Sequence, residues 1–88
     1  MTEIFIRPRA IRGYKKASKT EKQKIKEAIE ILRNQQFPEH TKKLEGHSSG
    51  YRIRIGKLRI LFILDKHEID IVDIFMRKGE DDYRRKKV

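Results

Sequence analysis

The sequence predicts an α+β fold, with two N-terminal helices packed on a small antiparallel sheet in the order β-α-α-β-β-β. Three observations carry this. Between residues 18 and 35, Ile25, Ala28, Ile29 and Leu32 recur at helical spacing on one stripe, with Ile31 beside it. From Gly50 the period changes to two, and Tyr51, Ile53 and Ile55 alternate with Arg52 and Arg54. Two more apolar runs, 58–64 and 69–76, follow short turn sequences, so the last three strands form a meander.

Residues 3–7 (EIFIR) alternate well enough for a short strand, and Pro8 ends it while suiting the first turn of a helix. Residues 10–17 read as a short helix with Ile11 and Tyr14 on its apolar side. Gly13 counts against it, since Gly in a helix interior costs about 1 kcal/mol relative to Ala. Ser18-Lys19-Thr20-Glu21 is a capping box, and the second helix runs from it to about Gln35. The tight joint between the helices suggests an αα-hairpin. Residues 34–46 are a connector, broken by Phe37-Pro38, with Lys42-Lys43-Leu44 leading to the polar stretch 46–50. His47 lies there as a candidate titrating group, although a loop His is usually solvated. Residues 58–64 are apolar on both faces and belong at the centre of the sheet. Asp65-Lys66-His67-Glu68 is the next turn, 69–76 the last strand, and Arg77-Lys78-Gly79 closes it. A charged tail with one aromatic, Tyr83, completes the chain. With no repeat and no linker, residues 1–88 are expected to form one domain.

The chemistry concentrates in the hairpin. Gly56-Lys57 fits a two-residue type II′ turn, which pairs Ile55 with Leu58 and Arg54 with Arg59. Arg52 lies on the same face. Single charges on an open sheet face are usually just solvated, but like charges directly opposite each other are destabilising. Three guanidiniums forced together make sense when an anion sits among them, and phosphate suits them best. On this reading Arg59→Ala removes one of three like charges and leaves the fold intact or slightly more stable. Arg77 joins the face of Arg59 if a three-residue loop, 66–68, pairs Arg59 with Phe75. A two-residue loop at Lys66-His67 leaves Arg77 pointing away unless the chain bends.

Charge is the strongest global signal: Lys plus Arg is 23 and Asp plus Glu is 13 in 88 residues, a net +10. A small domain this basic points to a polyanion or an acidic protein partner. The longest apolar run, Ile60 to Leu64, is too short to span a membrane. No basic amphipathic helix has an aromatic-rich apolar face, so no membrane partner is expected. The N-terminus has no signal-peptide pattern. No cysteine is present, which excludes disulfides and thiolate zinc sites and is compatible with a reducing cytosol. The three His are scattered at 40, 47 and 67, and no nucleophile elbow or phosphate-binding Gly loop occurs. What remains is an Arg set with an aromatic, able to bind a phosphodiester, stabilise charge developing on it and stack a base. No metal and no cofactor are expected.

Lys43-Leu44-Glu45-Gly46, Gly50-Tyr51-Arg52-Ile53-Arg54, Leu58-Arg59-Ile60-Leu61-Phe62, and Arg77 with Tyr83 six residues on resemble the RelE/ParE toxin superfamily. The resemblance covers most of the chain. It implies a RelE/ParE-like fold and, in the RelE branch, a metal-independent endoribonuclease. Such an enzyme cuts messenger RNA on the ribosome by attack of a ribose 2′-OH on the adjacent phosphate. It further implies that Arg52 and Arg54 stand where relatives carry two basic residues, usually Lys, and that Arg59 holds the phosphate. Arg77 would then be the general acid and Tyr83 the residue that stacks on the base. Lys43, Lys57, Lys78, Arg84 and Arg85 are expected to contact RNA. One departure matters: a paired Lys acts as general base in the relatives, and Arg does not readily give up its proton. Arg54 is therefore read as an electrostatic clamp, with the base among Lys57, Lys78, His47, a tail carboxylate or the ribosome. The resemblance implies a cytoplasmic toxin with an acidic antitoxin, besides messenger RNA and ribosomal RNA, as partners. The alternatives are a ParE-type gyrase inhibitor and an inactive RNA- or ribosome-binding module.

Overall fold

The computed structural model describes residues 2–46 and 48–77. β1 (Glu3–Ile6) leads to α1 (Pro8–Lys16) and α2 (Lys19–Arg33), and then come β2 (Thr41–Lys43), β3 (Gly50–Ile55), β4 (Leu58–Asp65) and β5 (Glu68–Met76). The strands form one sheet in the order β1-β5-β4-β3-β2. The expected α+β class and the central place of β4 both hold. Two features differ from expectation. The connector contains a strand, β2, which pairs with β3 but is three residues long, too short to show a period of its own. The sheet is also mixed, because β1 runs parallel to β5 while all other neighbours are antiparallel.

Local chemistry explains the helices. Pro8 opens α1 at a position where a missing N–H costs nothing. At α2, Ser18 Oγ accepts from the Glu21 N–H at 3.1 Å and Glu21 Oε1 accepts from the Ser18 N–H at 2.8 Å. This is the capping box read from the sequence. Its C-terminus closes differently from the usual Gly signal. The Gln35 N–H donates to the Leu32 carbonyl and the Gln36 N–H to that of Ile31, at 3.0 and 3.1 Å, a Schellman motif. Gln35 adopts the left-handed conformation that motif requires, φ 63°.

The core lies between the helices and one sheet face. Ala10, Ile25, Ala28 and Leu32 pack on Ile53, Leu58, Ile60, Phe62, Ile69, Ile71 and Ile74, all buried. On β5 the buried residues step by two from Ile69 to Ile71 and then by three to Ile74, which marks a β-bulge. The register with β4 runs from Asp65↔Glu68 to Phe62↔Ile71 and resumes at Leu61↔Asp73, so Val72 is the extra residue. The bulge keeps Ile74 and Met76 on the core side.

β1 covers only the first part of β5, through Ile71. Beyond it α1 lies against β5 instead. Gly13 makes this possible, since a Cβ there would stand 1.7 Å from the Ile74 carbonyl oxygen. The helix interior tolerates Gly13 because close approach to the strand demands it.

Two predictions follow from backbone geometry. Gly13→Ala must push α1 off the β5 backbone and is expected to lower the melting temperature by about 10 °C or more. Gln35→Gly relieves a left-handed non-glycine residue, offset in part by chain entropy, and is expected to raise it by about 3–5 °C. Thermal unfolding followed by circular dichroism measures both.

Candidate functional site

The face of the sheet away from the helices is set by the β3–β4 hairpin. Gly56 takes φ 59° while Lys57 stays outside the positive region, the pattern of a type II′ turn. Arg54 therefore pairs with Arg59, and Arg52 with Leu61. The bulge places Phe75 beside Arg59 and Asp73 beside Leu61, and β2 places Lys42 beside Arg52. Two rows thus cross this open face: Lys42, Arg52, Leu61, Asp73, and Arg54, Arg59, Phe75. The turn after β4 is the two-residue one, with Asp65 opposite Glu68, and the bulge supplies the bend that such a turn needed. The Arg77 N–H donates to the Lys57 carbonyl at 2.7 Å, extending the ladder. Alternation from Phe75 then puts Arg77 on the face of Arg59.

The three hairpin arginines differ in state. Arg54 is exposed. Arg59 is only 7% exposed, and its Nη1 donates to the carbonyls of Gly56 and Leu58 at 2.8 and 3.0 Å. It braces the turn and holds a fixed positive charge opposite Arg54. Arg52 is half-buried, and its Nε is buried without a hydrogen-bond partner among the described residues. A buried donor left unmet costs about 1–3 kcal/mol, and an anion on this face would satisfy it.

Two carboxylates on the same face, Asp70 and Asp73, are already taken. Arg7 grips Asp70 with Nε at 2.9 Å from both oxygens and Nη2 at 2.6 Å from Oδ2. That hydrogen bonding, with the carboxylate charge behind it, pushes the Arg7 guanidinium above its already high ordinary value. Arg9 Nε stands 3.3 Å from Asp73 Oδ2. Asp70 and Asp73 are thus paired with residues from the β1–α1 end and not with Arg52, Arg54 or Arg59.

Of the residues expected to act, Arg52, Arg54, Arg59 and Arg77 come to one face. Lys57 lies at the hairpin tip, with its carbonyl on Arg77. Lys43 pairs with Tyr51, on the other face from Arg52, and Lys42 holds the place beside it. Tyr83, Lys78, Arg84, Arg85 and His47 lie outside the described residues. Lys42 escaped the sequence reading because β2 did. The Arg9–Asp73 pair escaped because nothing in local spacing links α1 to β5. Among the described residues no three of His, Cys, Asp and Glu are grouped as a metal site requires, and no helix is long and apolar enough to cross a membrane.

Burial separates the two opposed arginines. Arg54→Ala relieves like-charge repulsion, so its melting temperature should equal or slightly exceed the parent's. Arg59→Ala strips the turn carbonyls of their donor and should cost about 1–2 kcal/mol. This geometry revises the expectation that losing Arg59 leaves the fold unharmed. Equal melting of the two variants would contradict the brace.

No family model matches the chain. A relative from Methanocaldococcus jannaschii that bears the toxin name RelE1 is 33% identical over 81 residues, spanning 86% of this chain and 90% of its own. A chain of the RelB–RelE antitoxin–toxin complex from Methanococcus jannaschii superposes with a TM-score of 0.76 at 23% identity, over 90% of this chain and 96% of that one. The isolated RelE toxin of E. coli gives a TM-score of 0.78 at 15% identity, over 99% and 96% of the two chains. The two solved structures share the fold described above.

Proposed function

The chain belongs to the RelE family of toxins, and from that premise we propose that it is the toxin of a toxin–antitoxin pair and an endoribonuclease acting on ribosome-bound messenger RNA. The observation that carries this is the clustering of Arg52, Arg54 and Arg59 on one open face, with Arg77 brought to it by the bulge. In the reaction a ribose 2′-OH attacks the adjacent phosphorus, the P–O5′ bond breaks, and a 2′,3′-cyclic phosphate and a 5′-OH remain. Negative charge grows on the phosphoryl oxygens. Arg54 and Arg52 clamp those oxygens, and Arg59, locked to the turn, adds a charge that needs no reorganisation. Arg77 is assigned to protonate the departing 5′ oxygen and Tyr83 to stack on the base, both by their match to the family pattern. Arg52, Arg54 and Arg59 are already protonated and offer no free pair to accept one, so the 2′-OH proton goes to another group.

A cognate antitoxin is the proposed protein partner, as in the RelB–RelE complex of the archaeal neighbour. An acidic segment over the Arg face is the chemistry that would silence it. The cytoplasm is the proposed site of action.

Cleavage of message on translating ribosomes tests the reading. The parent should cut, and Arg54→Ala, expected to melt like the parent, should cut about 10²–10³-fold more slowly. A parent protein that leaves the message whole but blocks gyrase supercoiling would move the chain to the ParE-type reading. Full cleavage by Arg54→Ala would remove that residue from the site.

A further inference from the structure

The open face continues onto α1. The helix carries Arg9, Arg12, Lys15 and Lys16 and no acidic residue. Lys15 and Lys16 sit in the last turn, where the helix dipole favours cations. Arg9 sits in the first turn, where the dipole opposes it, and no acid accompanies it there. Arg9, Arg12 and Lys16 fall on one side of the helix, the side of Gly13. Because Gly13 seats that side on β5, the three side chains share a groove of about 530 Å³ with Asp73 and Phe75. Arg9 engages Asp73 yet remains 71% exposed. Arg12 and Lys16 are exposed and have no partner among the described residues.

Phe75 joins the two basic sets. It is the neighbour of Arg59 across the sheet and, on its other side, lines the groove with Arg12 and Lys16. The order across the molecule is Arg54, Arg59, Phe75, then the α1 cations. We propose that this groove is a second nucleic-acid subsite, in which Arg12 and Lys16 hold the phosphodiester backbone of nucleotides flanking the one at the Arg52/Arg54/Arg59 face. The proposal rests on the reading of that face as an RNA site. Arg12 and Lys16 stand about 6 Å apart along the helix axis, so each can meet a different phosphate of an extended strand. An acidic peptide would be served by charge alone. RNA is favoured because the groove continues the Arg52/Arg54/Arg59 face without a break, so that one strand can run across both.

Binding of fluorescent 2′-O-methyl oligoribonucleotides, which cannot be cut, tests this with the full chain. A dinucleotide and an octanucleotide are compared over a salt series, with the parent, Arg12→Gln/Lys16→Gln and Arg54→Gln. The double variant should bind the octanucleotide about tenfold more weakly at physiological salt, with a log–log salt slope shallower by about 1.4, since each single-strand phosphate contact contributes roughly 0.7. Its dinucleotide binding should match the parent's. Arg54→Gln should weaken both lengths. Parental octanucleotide affinity and slope in the double variant, with Arg54→Gln still impaired, would overturn the subsite and leave the face standing. Loss of polyglutamate binding with RNA binding intact would also overturn it, assigning the groove to an acidic peptide. A parent that binds neither oligonucleotide would bring down the face and the subsite together.

Discussion

Everything on the open face depends on one forced pairing. A two-residue turn with Gly56 in the left-handed region sets Arg54 directly opposite Arg59. Directly opposed like charges on a sheet cost about 0.2–1 kcal/mol, and the chain adds Arg52 and Lys42 to the same surface. It also commits the nearby carboxylates elsewhere, Asp70 to Arg7 and Asp73 to Arg9. Like charges are thus gathered on one face and the two nearest β5 carboxylates are held by Arg7 and Arg9, an arrangement suited to receiving an anion.

The sheet could not deliver Arg77 to this face by regular pairing. A two-residue turn at Lys66-His67 fixes the early register of β5, and strict alternation from there would bury Asp73 and Phe75 and expose Ile74. The extra residue, Val72, reverses the phase. One insertion therefore serves both sides of the sheet, returning Ile74 and Met76 to the core and carrying Phe75 and Arg77 to the arginines. The same stretch of β5 is the part that β1 does not reach, and α1 lies against it through Gly13. Packing, phase and charge all converge on residues 72–77.

Much of this was legible in the sequence, for identifiable reasons. The hairpin register follows from a glycine between two alternating runs, and the capping box from Ser18 and Glu21 at fixed spacing. The phase reversal was also written there: Ile69, Ile71, Ile74 and Met76 cannot share one face of a regular strand. Reading residues 69–76 as a single unbroken run hid it. Gly13 reads as a weak point in a helix until the strand behind it is known. Lys42 was hidden because a three-residue edge strand has no pattern of its own. The burial of Arg59 was out of reach, since alternation places it on an open face and charged side chains are seldom buried. Its guanidinium instead folds back onto the carbonyls of the turn.

The claim at the centre is that the Arg52, Arg54 and Arg59 face is an anion site awaiting a phosphodiester. The buried Nε of Arg52, without a hydrogen-bond partner among the described residues, reports on it most directly. Nitrogen-15 spectra of the arginine side chains, recorded during titration with the uncleavable dinucleotide, follow that N–H. The account predicts that the Arg52 Nε–H resonance, assigned through Arg52→Lys, shifts on binding and exchanges more slowly with water. Saturating dinucleotide that leaves the Arg52 and Arg54 Nε–H signals unmoved, while amides elsewhere respond, would contradict it.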